Sequence, residues 1–314
     1  MTPQRRPTSS TSEEGSNATD ASNATGTTAA EAVERTDSSG ADDARGSRRP
    51  TAVPRTLRRR WWLTAGAVVV AALATAVVVS RAFGLRAGGL WLLASAPAFG
   101  YLLWFLSRAL PWNHSPAATD PPPVAPTLGL ANGVTLGRGW LYAAVAGFLL
   151  VVPPTGSVWR WIPVLCYGGG AALDWVDGAL ARSVGRRSVL GEKLDMAFDT
   201  VGFLVAPLVG VVWGRLPLWY LSISVARYLF KAGRGWRRRR GRPVYDLPPS
   251  RVRRPLAGLQ MAFITWALLP VVPVGVVEIA AAAVVTPSLV VFARDYLVVT
   301  GRLHAPSEAA SAVE

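Results

Sequence analysis

The sequence predicts an all-α integral membrane protein, and its composition and the grouping of its apolar residues carry that prediction. The chain has 314 residues, of which 51% are hydrophobic, and its mean hydropathy is +0.29. These residues are concentrated in runs close to the roughly 20 residues that a helix needs to cross a bilayer. An ordinary soluble domain is less apolar, so the membrane class follows.

The distribution of charge supports the same class. Lys and Arg number 33 against 19 Asp and Glu, for a net charge of +14. Ten of the basic residues lie in one stretch, 231–254, and ten more lie in the first 60 residues, where eight acids nearly offset them. A basic loop between apolar runs indicates a cytoplasmic face and contact with anionic lipid heads. We therefore expect no nucleic-acid partner.

Few residues are suited to redox, zinc or triad chemistry. Cys166 is the single cysteine, and His114 and His304 lie in separate polar stretches. One thiol within an apolar run predicts a small buried hydrophobe, and no disulfide framework can form within the chain. Zinc coordination and a Ser-His-Asp triad lack partners here.

The elements follow from composition along the chain. Residues 1–54 are polar, with almost no large apolar side chain, and predict a disordered tail. Two transmembrane helices are expected within 55–110, a Pro-rich linker over 111–128, a six-helix core over 129–300 and a short tail over 301–314. The predicted spans are 61–80, 88–107, 139–154, 158–180, 195–214, 216–232, 256–273 and 277–299.

The arginines also predict an orientation. A cluster from Arg55 to Arg60 precedes the first span and places the N-terminus inside. Counting eight spans forward, the loops at 182–193 and 231–254 fall inside, and these loops carry most of the remaining positive charge. The chain is thus expected in the cytoplasmic membrane with both loops facing the cytoplasm.

Four aspartates mark the fourth and fifth spans near that face. Asp174 and Asp177 lie toward the end of one predicted helix, and Asp195 and Asp199 lie near the beginning of the next. Spacings of three and four residues place each pair on one helix face, and an antiparallel arrangement brings all four to similar depth. Four carboxylates suit Mg²⁺ or Mn²⁺, and two such ions form a clamp for phosphoryl transfer. The alternative is a set of structural ion pairs with nearby Arg and Lys.

The residues around these acids form a longer pattern, D-x2-D-G-x2-A-R-x8-G-x3-D-x3-D. This chain matches each fixed position over 26 residues, and the pattern resembles the signature of the CDP-alcohol phosphotransferases. The resemblance covers about residues 129–300, the six-helix core of that family. The matching positions are Asp174, Asp177, Gly178, Ala181, Arg182, Gly191, Asp195 and Asp199.

The resemblance implies an activity and residue roles. The family transfers a phosphoalcohol group from a CDP-alcohol to a second alcohol and releases CMP. By that resemblance Asp174, Asp177 and Asp195 are metal ligands, while Asp199 is the general base and also touches a metal. Gly178, Ala181 and Arg182 would line the CDP site. The expected donor is CDP-diacylglycerol or a similar CDP-lipid, the first-choice acceptor is glycerol 3-phosphate, and a homodimer is expected.

Two further groups of residues extend the predicted site. Asn132, Thr135 and Arg138 precede the third span at steps of three, where the family often has an N-x2-T-x2-R segment near the nucleotide. Arg227, Lys231 and Arg294 lie late in the sixth and eighth spans and are candidates for binding the acceptor. Their alternative role is snorkelling at helix ends, with an ion pair between Arg294 and Asp295.

Two other functions stay open at this point. A membrane prenyltransferase would share the chemistry of metal ions on a diphosphate, although it gives no reason for Gly178 or for the eight-residue gap. A transporter or scaffold could bind cations through the same acids without catalysis.

Overall fold

Eight α-helices account for most of the described chain in the computed structural model. The structure describes residues 52–116, 123–184, 188–245, 247, 250 and 252–303, with the backbone alone at 174–184 and 254. Of the predicted tail at 1–54, residues 1–51 lie outside these ranges. The helices are α1 (Arg55–Phe83), α2 (Leu85–Ala109), α3 (Gly129–Ala146), α4 (Ile162–Val184), α5 (Val189–Val212), α6 (Ser222–Arg239), α7 (Arg253–Ala267) and α8 (Val274–Val299).

Each of the eight predicted apolar runs corresponds to one of these helices, and the described residues contain no strand, so the all-α prediction is confirmed. Four of the helices are long and apolar enough to cross a membrane, with mean hydropathies from 1.5 to 2.3. They are α1, α2 with the 3₁₀ turn that follows it, α5 and α8. The division into six core spans and two additional ones stays a prediction.

Several helix boundaries differ from the predicted runs, and two of the differences have a clear cause in the sequence. Helix α3 begins at Gly129, ten residues before the predicted span, because a polar first half continues into the apolar second half without a break. Helix α6 continues to Arg239, beyond the predicted end at 232, and its last turn is entirely basic. Positive side chains at a helix C-terminus are favourable to its dipole, which explains the extension.

Helix α3 lies at the centre of the packing, in contact with α2, α4 and α5. Its Tyr142 ring fills the space beside two glycines. A Cβ built on Gly170 of α4 would lie 2.5 Å from that ring, and one built on Gly202 of α5 would lie 2.9 Å from it. Small residues allow membrane helices to approach closely. These glycines therefore bring α4 and α5 against α3.

The two N-terminal helices form a hairpin that packs against the core. Gly84, at a φ of 91°, makes the turn between α1 and α2. Such a backbone conformation favours glycine. Leu102 and Leu106 of α2 are buried in one cluster with Leu194 and Phe198 of α5. The hairpin thus contacts the helix that carries Asp195 and Asp199.

At the opposite end of the bundle, Arg215 joins two connections between helices. It is buried, and its guanidinium donates to the carbonyl oxygens of Ala267, Leu269 and Val272 at 3.2, 2.6 and 2.7 Å. Burial, and then the positive charge of Arg160, lower the pKa of Arg215. These three hydrogen bonds to carbonyl oxygens replace the hydrogen bonds to water that the guanidinium loses when it is buried.

Candidate active site

The first turns of α5 present two carboxylates on one face. Ser188 caps this helix, and its hydroxyl accepts the Gly191 N–H at 3.0 Å. Asp195 and Asp199 follow at successive steps of four residues, so their side chains project from the same side. The Asp195 side chain is 45% exposed and that of Asp199 is 24% exposed. Both carboxylates can therefore be reached by a ligand.

Arg138 of α3 holds these two carboxylates together. Its side chain is fully buried, and Nη2 donates to Oδ1 of Asp195 and, at 3.1 Å, to Oδ1 of Asp199. A buried charge is tolerated in proteins when it is paired and hydrogen-bonded. One guanidinium nitrogen shared by both acids shows that the carboxylates converge on a common point. The sequence pattern predicts Arg138 near the nucleotide and does not predict this contact.

Asn132 connects the start of α3 to the start of α5. Its side-chain nitrogen donates to the carbonyl of Leu128 at 2.5 Å and to Oδ1 of Asn113 at 3.4 Å. Its oxygen accepts from the Ser188 hydroxyl at 3.1 Å. Both amide hydrogens thus donate within the protein, while the oxygen keeps one lone pair for a ligand.

The same junction explains the glycine of the sequence pattern. A Cβ on Gly191 would lie 2.7 Å from Oδ1 of Asn132 and 3.2 Å from the Ser188 hydroxyl. Any larger residue there would push the two side chains apart. Gly191 is therefore required by the packing of α3 against α5.

Thr135 lies one turn further along α3, between Asn132 and Arg138. It is buried, and its hydroxyl donates to the Ala131 carbonyl at 3.1 Å. A hydroxyl that donates in this way still accepts a hydrogen bond. Asn132 and Arg138 thus bond to the cap and the carboxylates of α5, with Thr135 buried between them on α3, and Asn132 and Thr135 stay predicted nucleotide contacts.

The remaining residues of the pattern lie on the second half of α4. The backbone of that segment is helical to Val184, which places Asp174 one turn before Asp177 and Gly178 on the same helix. Ala181 and Arg182 belong to its last turn. The side chains of all five lie outside the described residues, so the convergence of four acids stays a prediction. Among the side chains that are described, no three acids, histidines or cysteines form a cluster.

The donor set present suits a hard divalent cation. Asp195 and Asp199 supply only carboxylate oxygens, the ligand type that Mg²⁺ and Mn²⁺ prefer. Both carboxylates contact one cationic group, the Arg138 guanidinium, and their role as metal ligands stays a prediction.

A cavity of about 340 Å³ lies among α5, α6, α7 and α8. Four cationic residues line it: Arg227, Lys231, Arg234 and Arg253. Its other walls include Phe203, Phe230 and Phe292, together with the polar side chains of Gln260 and Ser288. It therefore offers positive charge beside an aromatic, apolar surface.

Specific contacts orient the cavity's charged residues. The Arg227 guanidinium lies 4.3 Å from the centre of the Phe203 ring. Lys231 donates to the hydroxyl of Thr200 at 3.3 Å, the residue after Asp199. This contact places the cationic lining next to the carboxylate pair.

One ion pair of the cavity was not predicted from the sequence, and one predicted residue lies elsewhere. Arg253 donates to both oxygens of Asp295, at 2.7 and 3.1 Å. Arg294 is exposed and is not among the lining residues. The signal for the pair was Asp295 itself, an acid within an apolar run with an arginine at the start of the preceding helix. Arg227 and Lys231 are brought together as acceptor candidates, whereas Arg294 is not.

The fold and site define an integral membrane protein with carboxylates and a cation-lined cavity at one end of a helical bundle. The profile of the CDP-alcohol phosphatidyltransferases matches residues 128–300, more than half of the chain. The chain belongs to the CDP-alcohol phosphatidyltransferase family, a family of transferases that generally use divalent metal ions. The resemblance carried by the aspartate pattern is thereby confirmed.

Curated relatives give a second finding. Proteins named "Putative cardiolipin synthase" from Mycobacterium bovis and Mycobacterium tuberculosis are 30% identical to this chain over 91 residues. That stretch is 29% of this chain and 43% of each relative. The chain thus spans less than half the length of these relatives. No solved structure matches it significantly.

Proposed function

We propose that this protein transfers a phosphatidyl group from a CDP-lipid, such as CDP-diacylglycerol, to a hydroxylated acceptor and releases CMP. Family membership supports phosphatidyl transfer in phospholipid synthesis. The observation that carries the proposal is the convergence of Asp195 and Asp199 on Arg138, beside a cation-lined cavity. It supplies acidic ligands and a place for an anionic acceptor side by side.

Asp174, Asp177 and Asp195 would hold Mg²⁺ or Mn²⁺, with Asp199 touching one of two ions. Bound there, the ions would neutralise the charge of the CDP diphosphate. Arg138 supports this arrangement because its buried guanidinium holds the partly exposed carboxylates of α5 in a fixed orientation.

Asp199 would take the proton from the acceptor hydroxyl. The hydroxyl oxygen forms a bond to the β-phosphorus, the bond from that phosphorus to the bridging oxygen breaks, and CMP carries away the electron pair. A general base must lie within hydrogen-bond reach of the proton it accepts. The Lys231–Thr200 contact supports this role, because it places the cavity next to Asp199.

The CDP moiety would bind between α3 and α4. Gly178, Ala181 and Arg182 of α4 are the proposed contacts, and Arg182 would hold the diphosphate through its planar guanidinium. Asn132 and Thr135 would complete the site from α3. Their support is that both are buried beside Arg138 and each keeps an oxygen able to accept from the nucleotide.

The cavity would bind the acceptor. Glycerol 3-phosphate fits its chemistry, because Arg227 and Lys231 offer positive charge to a phosphate, while Arg253 is paired with Asp295. Arg294 is exposed and lies outside the cavity, so its proposed role is limited to attracting an anionic acceptor toward the site.

A second acceptor, phosphatidylglycerol, is favoured by a different observation. The mycobacterial relatives are named as cardiolipin synthases, and three phenylalanines line the cavity beside its cations. An anionic lipid would place its headgroup on the cations and its apolar part against the aromatic wall.

The setting proposed for this reaction is the cytoplasmic membrane, with the active site facing the cytoplasm. The basic last turn of α6 supports this orientation. We also propose a homodimer, as in similar family members.

The experiment that tests the function is transfer from labelled CDP-diacylglycerol by the purified full-length protein with Mg²⁺ or Mn²⁺. The acceptors are glycerol 3-phosphate, inositol phosphate, serine and phosphatidylglycerol, and the labelled lipid product names the acceptor. Release of CMP supports the proposal. Release of diphosphate from an isoprenoid substrate would favour a prenyltransferase, and cation binding without any transfer would favour a non-enzymatic protein.

Two aspartate variants test the division of roles. Asp199→Asn should abolish turnover while keeping more metal and nucleotide affinity than Asp174→Asn, because the first removes a base and the second a ligand. Turnover is measured by CMP release and affinity by titration with CDP in the presence of Mn²⁺. Equal loss of nucleotide affinity in both variants would contradict this assignment.

A further inference from the structure

The segment that follows α2 is joined to the site by hydrogen bonds. Asn113 is 2% exposed, and its side-chain nitrogen donates to the carbonyls of Ala125 and Thr127 at 3.0 and 2.8 Å. Its own carbonyl accepts the Ala125 N–H at 2.7 Å. One buried side chain thus holds the two described ends of the connection between α2 and α3 together.

From Asn113 the contacts continue to the α5 carboxylates. Its Oδ1 accepts from Asn132, whose oxygen accepts from Ser188, the cap of α5. Next to it, the carbonyl of His114 accepts the Val189 N–H at 3.0 Å. Two hydrogen-bonded routes therefore run from this segment to the first turn of α5, two turns before Asp195 and three before Asp199.

Packing reinforces these routes. Lys193 of α5 lies 4.4 Å from the centre of the Trp112 ring, a cation–π contact. Leu110 and Val124 of the connection are buried in the same cluster as Leu190 and Leu194 of α5. The start of α5 is thus surrounded by the segment that follows the N-terminal hairpin.

We propose that Asn113 is a positioning residue for the metal-binding carboxylates of α5, acting through Asn132 and Ser188. The N-terminal hairpin, which lies outside the family match at 128–300, then contributes to the active site through the polar segment at its end. This inference rests on the proposed metal-dependent function. It assigns no contact with substrate to Asn113.

The test is Mn²⁺ binding, measured by the electron paramagnetic resonance signal of free Mn²⁺ in titrations of the purified full-length protein. Residues that orient metal ligands typically change metal affinity by about 10- to 100-fold when removed. Because Asn113 acts through two other side chains, we expect Asn113→Ala to raise the Mn²⁺ Kd by about 10-fold, the lower end of that range.

Ser107→Ala is the matched control. Ser107 lies on α2 of the same hairpin, and its hydroxyl donates to the Trp104 carbonyl within its own helix at 2.6 Å. Its removal deletes a polar group without touching α3 or α5, so the Mn²⁺ Kd should stay within about twofold of that of the unmodified protein.

Asn113→Ser tests the same side chain with a milder change. Its hydroxyl keeps one donor and an acceptor but is too short to reach Ala125, Thr127 and Asn132 together, so its Mn²⁺ Kd should lie between those of the unmodified protein and Asn113→Ala. It also carries the test if Asn113→Ala does not purify as a folded protein. Alanine and serine variants with the Mn²⁺ affinity of the unmodified protein would overturn the inference. An unmodified protein that binds no Mn²⁺ would instead overturn the proposed function, and the inference with it.

Discussion

Arg138 is the residue whose environment demands the most explanation. Its guanidinium is fully buried and holds two carboxylates that lie one helical turn apart. Two acids so close together repel each other unless a cation stands between them. Arg138 therefore supplies, from the protein side, part of the positive charge that the acids require. Divalent ions would add charge on the exposed side of the same carboxylates.

This arrangement makes the stability of the protein depend on metal when Arg138 is removed. Arg138→Met should destabilise the metal-free protein by about 1–3 kcal/mol, less than the loss of a fully buried partner, because Asp195 and Asp199 are partly exposed. Added Mg²⁺ should raise the melting temperature of the variant more than that of the unmodified protein, because ions bound to the folded state stabilise it.

The measurement is thermal unfolding in detergent, with EDTA or with Mg²⁺. Arg138→Lys is the informative companion, since it keeps the charge but loses the planar fork that reaches both acids. Its melting temperature should fall between those of the unmodified and Met proteins. A Met variant as stable as the unmodified protein in EDTA would show that the carboxylates do not need this cation.

At the scale of the elements, α6 supplies the cations of the cavity. Arg227 and Lys231 are one turn apart and both line it, while the basic residues of the last turn lie beyond it. The same helix thus carries two kinds of positive charge, one facing the cavity and one exposed beyond it.

Arg227→Ala should raise the KM for the acceptor by about 10-fold and leave the KM for the CDP-lipid within about twofold. The expected loss corresponds to one charge-assisted hydrogen bond to an anionic acceptor. Initial rates at varied concentrations of each substrate give the two constants. The control is Arg239→Ala, an exposed arginine of the same helix outside the cavity. A larger change in the KM for the CDP-lipid than in the KM for the acceptor would assign Arg227 to the CDP site. Arg294→Ala, measured in the same way, decides whether that exposed residue contributes to acceptor binding.

The sequence predicts the helices well because each apolar run has the length and composition of a buried or membrane helix. It also predicts Asp195 and Asp199 on one face, since a spacing of four residues is enough for that. It does not predict the partners. Arg138 on Asp195, Arg253 on Asp295 and Asn113 on Asn132 join residues 57, 42 and 19 positions apart, and no local pattern specifies such pairs. Gly191 combines the two cases. The sequence motif identifies this residue, whereas only its packing against Asn132 explains why glycine is needed there.

At the scale of the whole molecule, the number of membrane crossings decides which side of the membrane the α3–α4 connection and the end of α6 face. All eight helices are expected to cross, although only four of the described ones meet the criteria of length and hydropathy. The two possibilities place the same loops on different sides. If all eight cross with the N-terminus inside, the connection between α3 and α4 and that between α7 and α8 lie outside. If only α1, α2, α5 and α8 cross, the α3–α4 connection lies inside and the end of α6 lies outside.

Single cysteines distinguish these topologies. Cys166 is the only cysteine of the chain, so Cys166→Ser provides a background without thiols, which is also the unlabelled control. Into it we would introduce Thr155→Cys in the α3–α4 connection, Arg238→Cys near the end of α6 and Val271→Cys before α8; all three positions are exposed. With eight crossings, a membrane-impermeant maleimide should label positions 155 and 271 in intact bacterial cells and position 238 only after permeabilisation. The opposite labelling of 155 and 238 would support four crossings. Because α5 begins inside in both topologies, the start of α5 would still face the cytoplasm, while the end of α6 would lie outside.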